Sequence, residues 1–334
     1  MSVSPPVKPL VSIVLPAFNE SEALRIVIPA IIDALKEEPI GLEIIVVDDG
    51  STDETRSLIV SMAARVLELR YLRFSRNFGK EAALSAGLDA ARGQAVILMD
   101  ADGQHPPALL KVFLDRWRRG SEIICGVQKR RSDTFWKRYA KRLYYRLMET
   151  GSAVVIPPDA GDFRLLDRKV VDALKRLPER QRFMKGLYAW VGFRTELIPF
   201  PAEQRLAGES KYGWAQLFGL GMTGITAFSI VPLRLVSAAG VVISASAFVI
   251  GVYLLIEHYV SGDQLPGWAT LAVGMMFFSG LQMLALGLIS EYLASVFNEV
   301  KQRPLYIIAE DSGSRVPAPL PYALAEALPV DGDD

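Results

Sequence analysis

The chain has 334 residues, room for one large domain or two ordinary ones, and its 37 Lys and Arg balance its 37 Asp and Glu. That balance excludes a strongly basic nucleic-acid binder, and the single cysteine, Cys125, excludes an internal disulfide and fits a reducing cytoplasm. The stretch from Met1 to Pro9 lacks the charged-then-apolar pattern of a signal peptide.

From residue 11 to about 127, short apolar runs alternate with amphipathic ones. Strands are predicted at Val11–Pro16, Glu43–Asp48, Leu69–Phe74, Ala95–Met99 and Ile123–Val127, with helices over Ala23–Leu35, from near Asp53, and over Lys80–Ala91. This rhythm predicts an α/β fold: a Rossmann-like, mainly parallel sheet with helices on both faces. In such sheets ligands gather at the carboxyl ends of the strands.

Those ends are polar. The first strand runs into Pro16-Ala17-Phe18-Asn19-Glu20, the second into Asp48-Asp49-Gly50-Ser51-Thr52-Asp53, and the third is followed by Ser75-Arg76-Asn77-Phe78-Gly79-Lys80-Glu81. Capping explains Ser51 through Glu54 but not the two carboxylates ahead of them. The fourth strand ends in Asp100-Ala101-Asp102-Gly103-Gln104-His105-Pro106-Pro107. An isolated Asp-x-Asp reads more often as a ligand-free turn than as a ligand site. Charge at the same edge of several successive strands favours a shared nucleotide site, where two hard carboxylates suit Mg²⁺ or Mn²⁺ beside phosphate oxygens.

Arg130 to Arg146 mixes cations with Trp136, Tyr139, Tyr144 and Tyr145, a pattern suited to a helix lying on an anionic membrane surface. Asp159 to Leu166 is a polar turn entering an apolar run, and Pro178 opens a predicted helix through Trp190. Phe200 to Gly213 reads as a mobile loop that sets Arg205 and Lys211 among small residues, a composition suited to closing over phosphates. Leu235 to Ile256 and Gln264 to Ser290 hold no charged residue over about 22 and about 27 positions, each enough to span a bilayer. Arg234 precedes the first span, Lys301 and Arg303 follow the second, and the connecting loop has no Lys or Arg, so both ends are expected in the cytoplasm. The expected organisation is a catalytic domain over 1–213, an amphipathic lead-in over 214–232, two spans within 233–295, and a cytoplasmic tail over 296–334 with a disordered end.

Together these motifs resemble the family-two glycosyltransferases that act on polyprenyl phosphates, the branch holding bactoprenol glucosyltransferases and dolichol-phosphate mannose synthases. The likeness runs from about residue 10 to about 300 and includes Gly161-Asp162-Phe163-Arg164-Leu165 and the stretch from Arg205 to Gly213. It implies a GT-A-type domain followed by a membrane hairpin in the plasma membrane. It also implies inverting transfer from a nucleotide-sugar, UDP-glucose first, GDP-mannose or a UDP-aminosugar behind it, to a polyprenyl phosphate lipid. On that basis Pro16, Phe18, Glu20, Val47, Asp49, Lys80, Asp100 and Ala101 line the donor. Asp100, Asp102 and Gln104 hold Mg²⁺ or Mn²⁺. Asp162, Arg205 and Lys211 are the catalytic group, and one of Lys129, Arg130 and Arg131 meets the acceptor phosphate. Partners are the two substrates and the membrane, with no nucleic acid and with homo-oligomers allowed. A processive synthase is disfavoured, because Gln181-Arg182-Phe183-Met184-Lys185 does not supply the Gln-x-x-Arg-Trp element of those enzymes. A membrane-anchored nucleotide binder without transferase activity is the competing class.

Overall fold

The structure, a computed structural model, describes residues 8–129, 160–180, 182–201, 231–261 and 267–313. The basic aromatic segment, Arg130, Arg131, Arg205, Lys211, the lead-in up to residue 230 and the tail beyond Gly313 lie outside the described residues.

Eight strands form one sheet: β1 (Leu10–Ala17), β2 (Gly41–Asp48), β3 (Leu69–Phe74), β4 (Ala95–Leu98), β5 (Ile123–Lys129), β6 (Ala160–Asp167), β7 (Thr195–Pro201) and β8 (Ile308–Asp311). Their order is β7-β5-β6-β4-β1-β2-β3-β8. The central β4-β1-β2-β3 run is parallel, as is β5 with β7, while β6 runs antiparallel between β4 and β5 and β8 runs antiparallel along β3. The expected mainly parallel α/β sheet is therefore present, with two antiparallel insertions that the strand-helix rhythm did not announce.

The helices of this unit are α1 (Ser21–Leu35), α2 (Thr55–Ala63), α3 (Lys80–Ala90), α4 (Leu109–Arg118), α5 (Arg168–Lys175) and α6 (Met184–Trp190). β1, β2 and β4 are buried on both faces, which is why they read as unbroken apolar runs rather than alternating ones. Ile13, Leu15, Leu24, Ile28, Ile44, Phe113 and Phe163 sit at the centre of the core. Helix α3 lies close against the sheet because its inner face is small: Ala82, Ala83, Ser85, Ala86 and Gly87 are all buried. A Cβ on Gly87 would overlap the side chain of Val14.

Two sequence expectations are corrected here. The helix expected from Pro178 begins only at Met184, because Pro178 to Phe183 forms no helix among its described residues. Within the stretch assigned to a tail, Ile308–Asp311 returns to the sheet as β8, and Pro304 to Gly313 fall in the same compact unit as the other strands.

The second unit contains α7 (Val231–Ser261) and α8 (Trp268–Val300). Both are long and apolar enough to cross a membrane, over Leu233–Tyr253 and Gly274–Val300, with mean hydropathies of 2.3 and 1.4. Neither window has a buried residue, which is inconsistent with core helices of a soluble domain.

Candidate active site

The polar strand ends meet at one edge of the sheet, and the loops are tied together before any ligand is considered. Asn19 takes a left-handed φ of 55°, and its side-chain oxygen accepts from the Thr52 and Asp53 N–H groups at 2.8 and 3.3 Å. The Asn19 N–H donates to Ser51 Oγ at 2.9 Å, and Glu20 N–H to Thr55 Oγ1 at 3.1 Å. Pro16 pairs with Val47 in the β1–β2 register; Val47 is fully buried and Pro16 is half-buried.

Asp48 and Asp49 do different work. Asp48 accepts from Ser51 N–H at 2.8 Å and faces Arg73 at 3.6 Å, a buried brace for its own turn. Asp49 reaches across to the loop after β3, where its two oxygens accept from Phe78 N–H at 2.6 Å and Gly79 N–H at 2.9 Å. Burial pushes the Asp49 carboxyl above its ordinary range, against those two bonds. The two loops pass so closely that a Cβ on Gly50, whose φ is +70°, would lie 2.6 Å from the Arg76 carbonyl carbon. The outcome is a fixed start for α3, and α3 starts with Lys80.

Lys80 Nζ lies 2.6 Å from Asp100 Oδ1 and 2.8 Å from Asp162 Oδ2. The reason is in the strand register. Leu98 of β4 pairs with Arg164 of antiparallel β6, so two residues further on Asp100 faces Asp162. Like charges opposed in this way repel, and an ammonium between them removes the conflict. Burial works against the Lys80 charge, but Asp100 and Asp162 outweigh it and hold its pKa well above the usual value. Burial likewise acts to raise Asp162, yet Lys80, with Lys185 and Arg164, keeps it well below the ordinary carboxylate range. Asp162 is therefore ionised at neutral pH. Its second oxygen, Oδ1, is buried without a hydrogen-bond partner among the described residues.

Around this bridge are groups that lie within the quoted motifs but received no role of their own from the sequence. The His105 ring stacks on Phe163 with centroids 4.5 Å apart, and its Nδ1 accepts from the Asp100 N–H at 3.0 Å. Burial lowers its pKa, in keeping with a neutral ring that accepts at Nδ1. Arg164 stacks over Tyr188 at 3.8 Å and donates to the Gly161 carbonyl. Glu81 accepts from the Met184 N–H at 3.2 Å, tying α3 to the start of α6. Burial, with the charge of Asp162, raises its carboxyl to about 7. Only the fold shows these links, since residues 81 and 184 are joined by no local pattern.

For a metal, the donor chemistry is suitable but sparse. Asp100 and Asp102 flank the buried Ala101, and Asp102 Oδ1 accepts from the Gln104 N–H at 3.0 Å in a tight turn. No three His, Cys, Asp or Glu side chains converge on a metal-sized point among the described residues. A Mg²⁺-like ion needs only one or two protein carboxylates when phosphate oxygens complete its shell, so these residues fit an ion delivered with a diphosphate. Lys129 closes β5 opposite Pro201 of β7.

The family model for glycosyl transferase family 2 matches residues 12–175, the span that holds Asp49, Lys80, Asp100, Asp102 and Asp162. The uncharacterised glycosyltransferase sll0501 of Synechocystis is 40% identical over 300 residues, covering 90% of this chain and 94% of that protein. The bactoprenol glucosyl transferase of Shigella phage SfII is 38% identical over 299 residues, 89% of this chain and 97% of that protein. Among solved structures, mannosyl-3-phosphoglycerate synthase from Rubrobacter xylanophilus overlies 69% of this chain and 75% of its own with a TM-score of 0.46 at 19% identity. Since the matches to its sequence relatives run through the catalytic unit and both apolar helices alike, the chain belongs to the family-2 glycosyltransferases.

Proposed function

We propose that the protein transfers a glucosyl group from a nucleotide-sugar to a polyprenyl phosphate at the cytoplasmic face of the plasma membrane. The observation that carries this reading is the near full-length match to bactoprenol glucosyl transferases, hairpin included. The Lys80-bridged carboxylates at the sheet edge supply a chemical basis for it.

An acceptor phosphate oxygen attacks the anomeric carbon from the face opposite the diphosphate. The new C–O bond forms as the bond to the diphosphate breaks, and the electron pair leaves with the nucleoside diphosphate, inverting the centre. A phosphate monoester has a second pKa of about 6, so the acceptor is mostly dianionic at neutral pH and needs no strong base. An Asp162 held ionised by Lys80 is suited instead to orienting the sugar and stabilising positive charge as it develops on the anomeric carbon. Asp100 and Asp102, with Gln104 beside them, would hold Mg²⁺ or Mn²⁺. The ion supplies charge neutralisation for the departing diphosphate. Arg205 and Lys211 would close over that diphosphate, and one of Lys129, Arg130 and Arg131 would meet the lipid phosphate.

The donor is tested by a turnover panel of UDP-glucose, UDP-aminosugars and GDP-mannose with undecaprenyl phosphate and Mn²⁺. UDP-glucose should give the highest kcat/KM. A clear preference for GDP-mannose would overturn the glucosyl assignment while leaving the lipid acceptor standing.

A further inference from the structure

Lys80 occupies a position that a cation normally avoids. It is the first residue of α3, where the helix dipole disfavours positive charge, and it is put there by a Gly79 with φ 97° whose N–H is held by Asp49. Gly87 and the other small residues pin α3 against β1, so the ammonium is carried on a rigid support. Its side chain spans two carboxylates to which the proposed function gives different ends, Asp100 beside the donor diphosphate and Asp162 at the reacting carbon.

We propose that Lys80 is a positioning residue that couples the two halves of the site: it bridges Asp100 and Asp162 in the donor-free protein and gives up Asp100 when a divalent cation arrives with the donor diphosphate. The Asp100 oxygen that Lys80 touches is an oxygen that a hard cation would take, and an ammonium beside that ion would be repelled. The displaced ammonium remains on Asp162, 2.8 Å away in this structure, so the carboxylate stays ionised and aimed. The donor-free protein thus carries its own placeholder cation. Metal and donor should bind before Asp162 is presented to the acceptor.

This inference rests on the metal reading above, and the test separates the two. Mn²⁺ binding to the full-length, detergent-solubilised protein is followed by electron paramagnetic resonance, with and without UDP. The proteins compared are wild type, Lys80→Met, Lys80→Gln and Lys80→Arg, with circular dichroism checking their folding. Removing the competing cation should tighten Mn²⁺ binding without UDP by roughly tenfold in the neutral variants, the scale on which one adjacent charge acts. Their turnover should fall, with the KM for lipid acceptor rising more than the KM for donor. The Arg variant should stay near wild type in Mn²⁺ affinity. A folded neutral variant whose Mn²⁺ affinity is unchanged or weaker overturns the proposal. So does failure of both neutral variants to fold, because the bridge would then be a folding requirement rather than an exchangeable contact. Wild type that binds no Mn²⁺ even with UDP sinks the metal reading and this inference together.

Discussion

Glu81 follows Lys80 directly in α3, and both have raised pKa values from different causes: Asp100 and Asp162 overcome burial at Lys80, whereas burial itself raises Glu81. Glu81 has its pKa raised to about 7 from 4.5, so between those values the folded protein holds a proton that the unfolded chain has released. Stability from this group therefore falls as pH rises through that window and levels off above it. Glu81→Gln should flatten that slope in urea unfolding measured from pH 4.5 to 7.5, whereas an unchanged slope would show that Glu81 is not the titrating group. Asp162 runs the other way. Its folded value lies well below 3.8, so its stabilisation is present above the unfolded value and is lost only as pH falls into the acid range. At this scale the carboxylates were legible in the sequence because they sit at strand ends in turn-forming company. Their partnership was not. Lys80, Asp100 and Asp162 meet only because β6 runs antiparallel beside β4, and no local pattern encodes that pairing. Asp49 shows the same limit, since its hold on the loop that starts α3 spans 29 and 30 residues and no local pattern gives it.

Among the elements, β8 does the most that its short length would not suggest. Arg70 grips Asp311 through two hydrogen bonds of 3.1 and 2.8 Å, and Arg56 pairs with Glu310 at 2.8 Å. Tyr306, just ahead of the strand, stacks on Phe74 with centroids 5.1 Å apart and donates to Asp89 at 2.8 Å. The strand also covers the outer edge of β3, which would otherwise present unpaired backbone groups. Tyr306→Ala should cost about 2 kcal/mol in urea unfolding, the sum expected for one aromatic pair and one hydrogen bond to a charged group. A change within error would mean that this segment does not hold β3 in solution. The strands buried on both faces could be read from sequence because their apolar runs are continuous. β7 and β8 could not: β7 alternates exposed residues and carries Pro199 and Pro201, as edge strands tolerate, while β8 is four residues with one large apolar side chain. Helix α4 has no counterpart among the elements predicted from sequence, which place none between the Asp-x-Asp turn and β5. It begins at Leu109 and buries Leu110, Phe113 and Leu114 on one face.

At the scale of the whole molecule, the proposed reaction requires the unit that carries Lys80, Asp100 and Asp162 to face the compartment that supplies the donor, which we propose is the cytoplasm. The flanking cations at Arg234, Lys301 and Arg303 support that orientation. In a Cys125→Ser background, a cysteine at Ser261 should label with an impermeant thiol reagent in intact cells and one at Ser314 should not. The reverse pattern would overturn the orientation. The central claim, sugar transfer to a lipid phosphate, is tested most directly by UDP release from UDP-glucose with Mn²⁺ and purified full-length protein in detergent. Release should require undecaprenyl phosphate, match the glycosylated lipid phosphate mole for mole by mass spectrometry, and fall by at least about 10²-fold in Asp162→Asn. UDP release at the same rate without the lipid, or lipid-dependent release indifferent to Asp162→Asn, would contradict it.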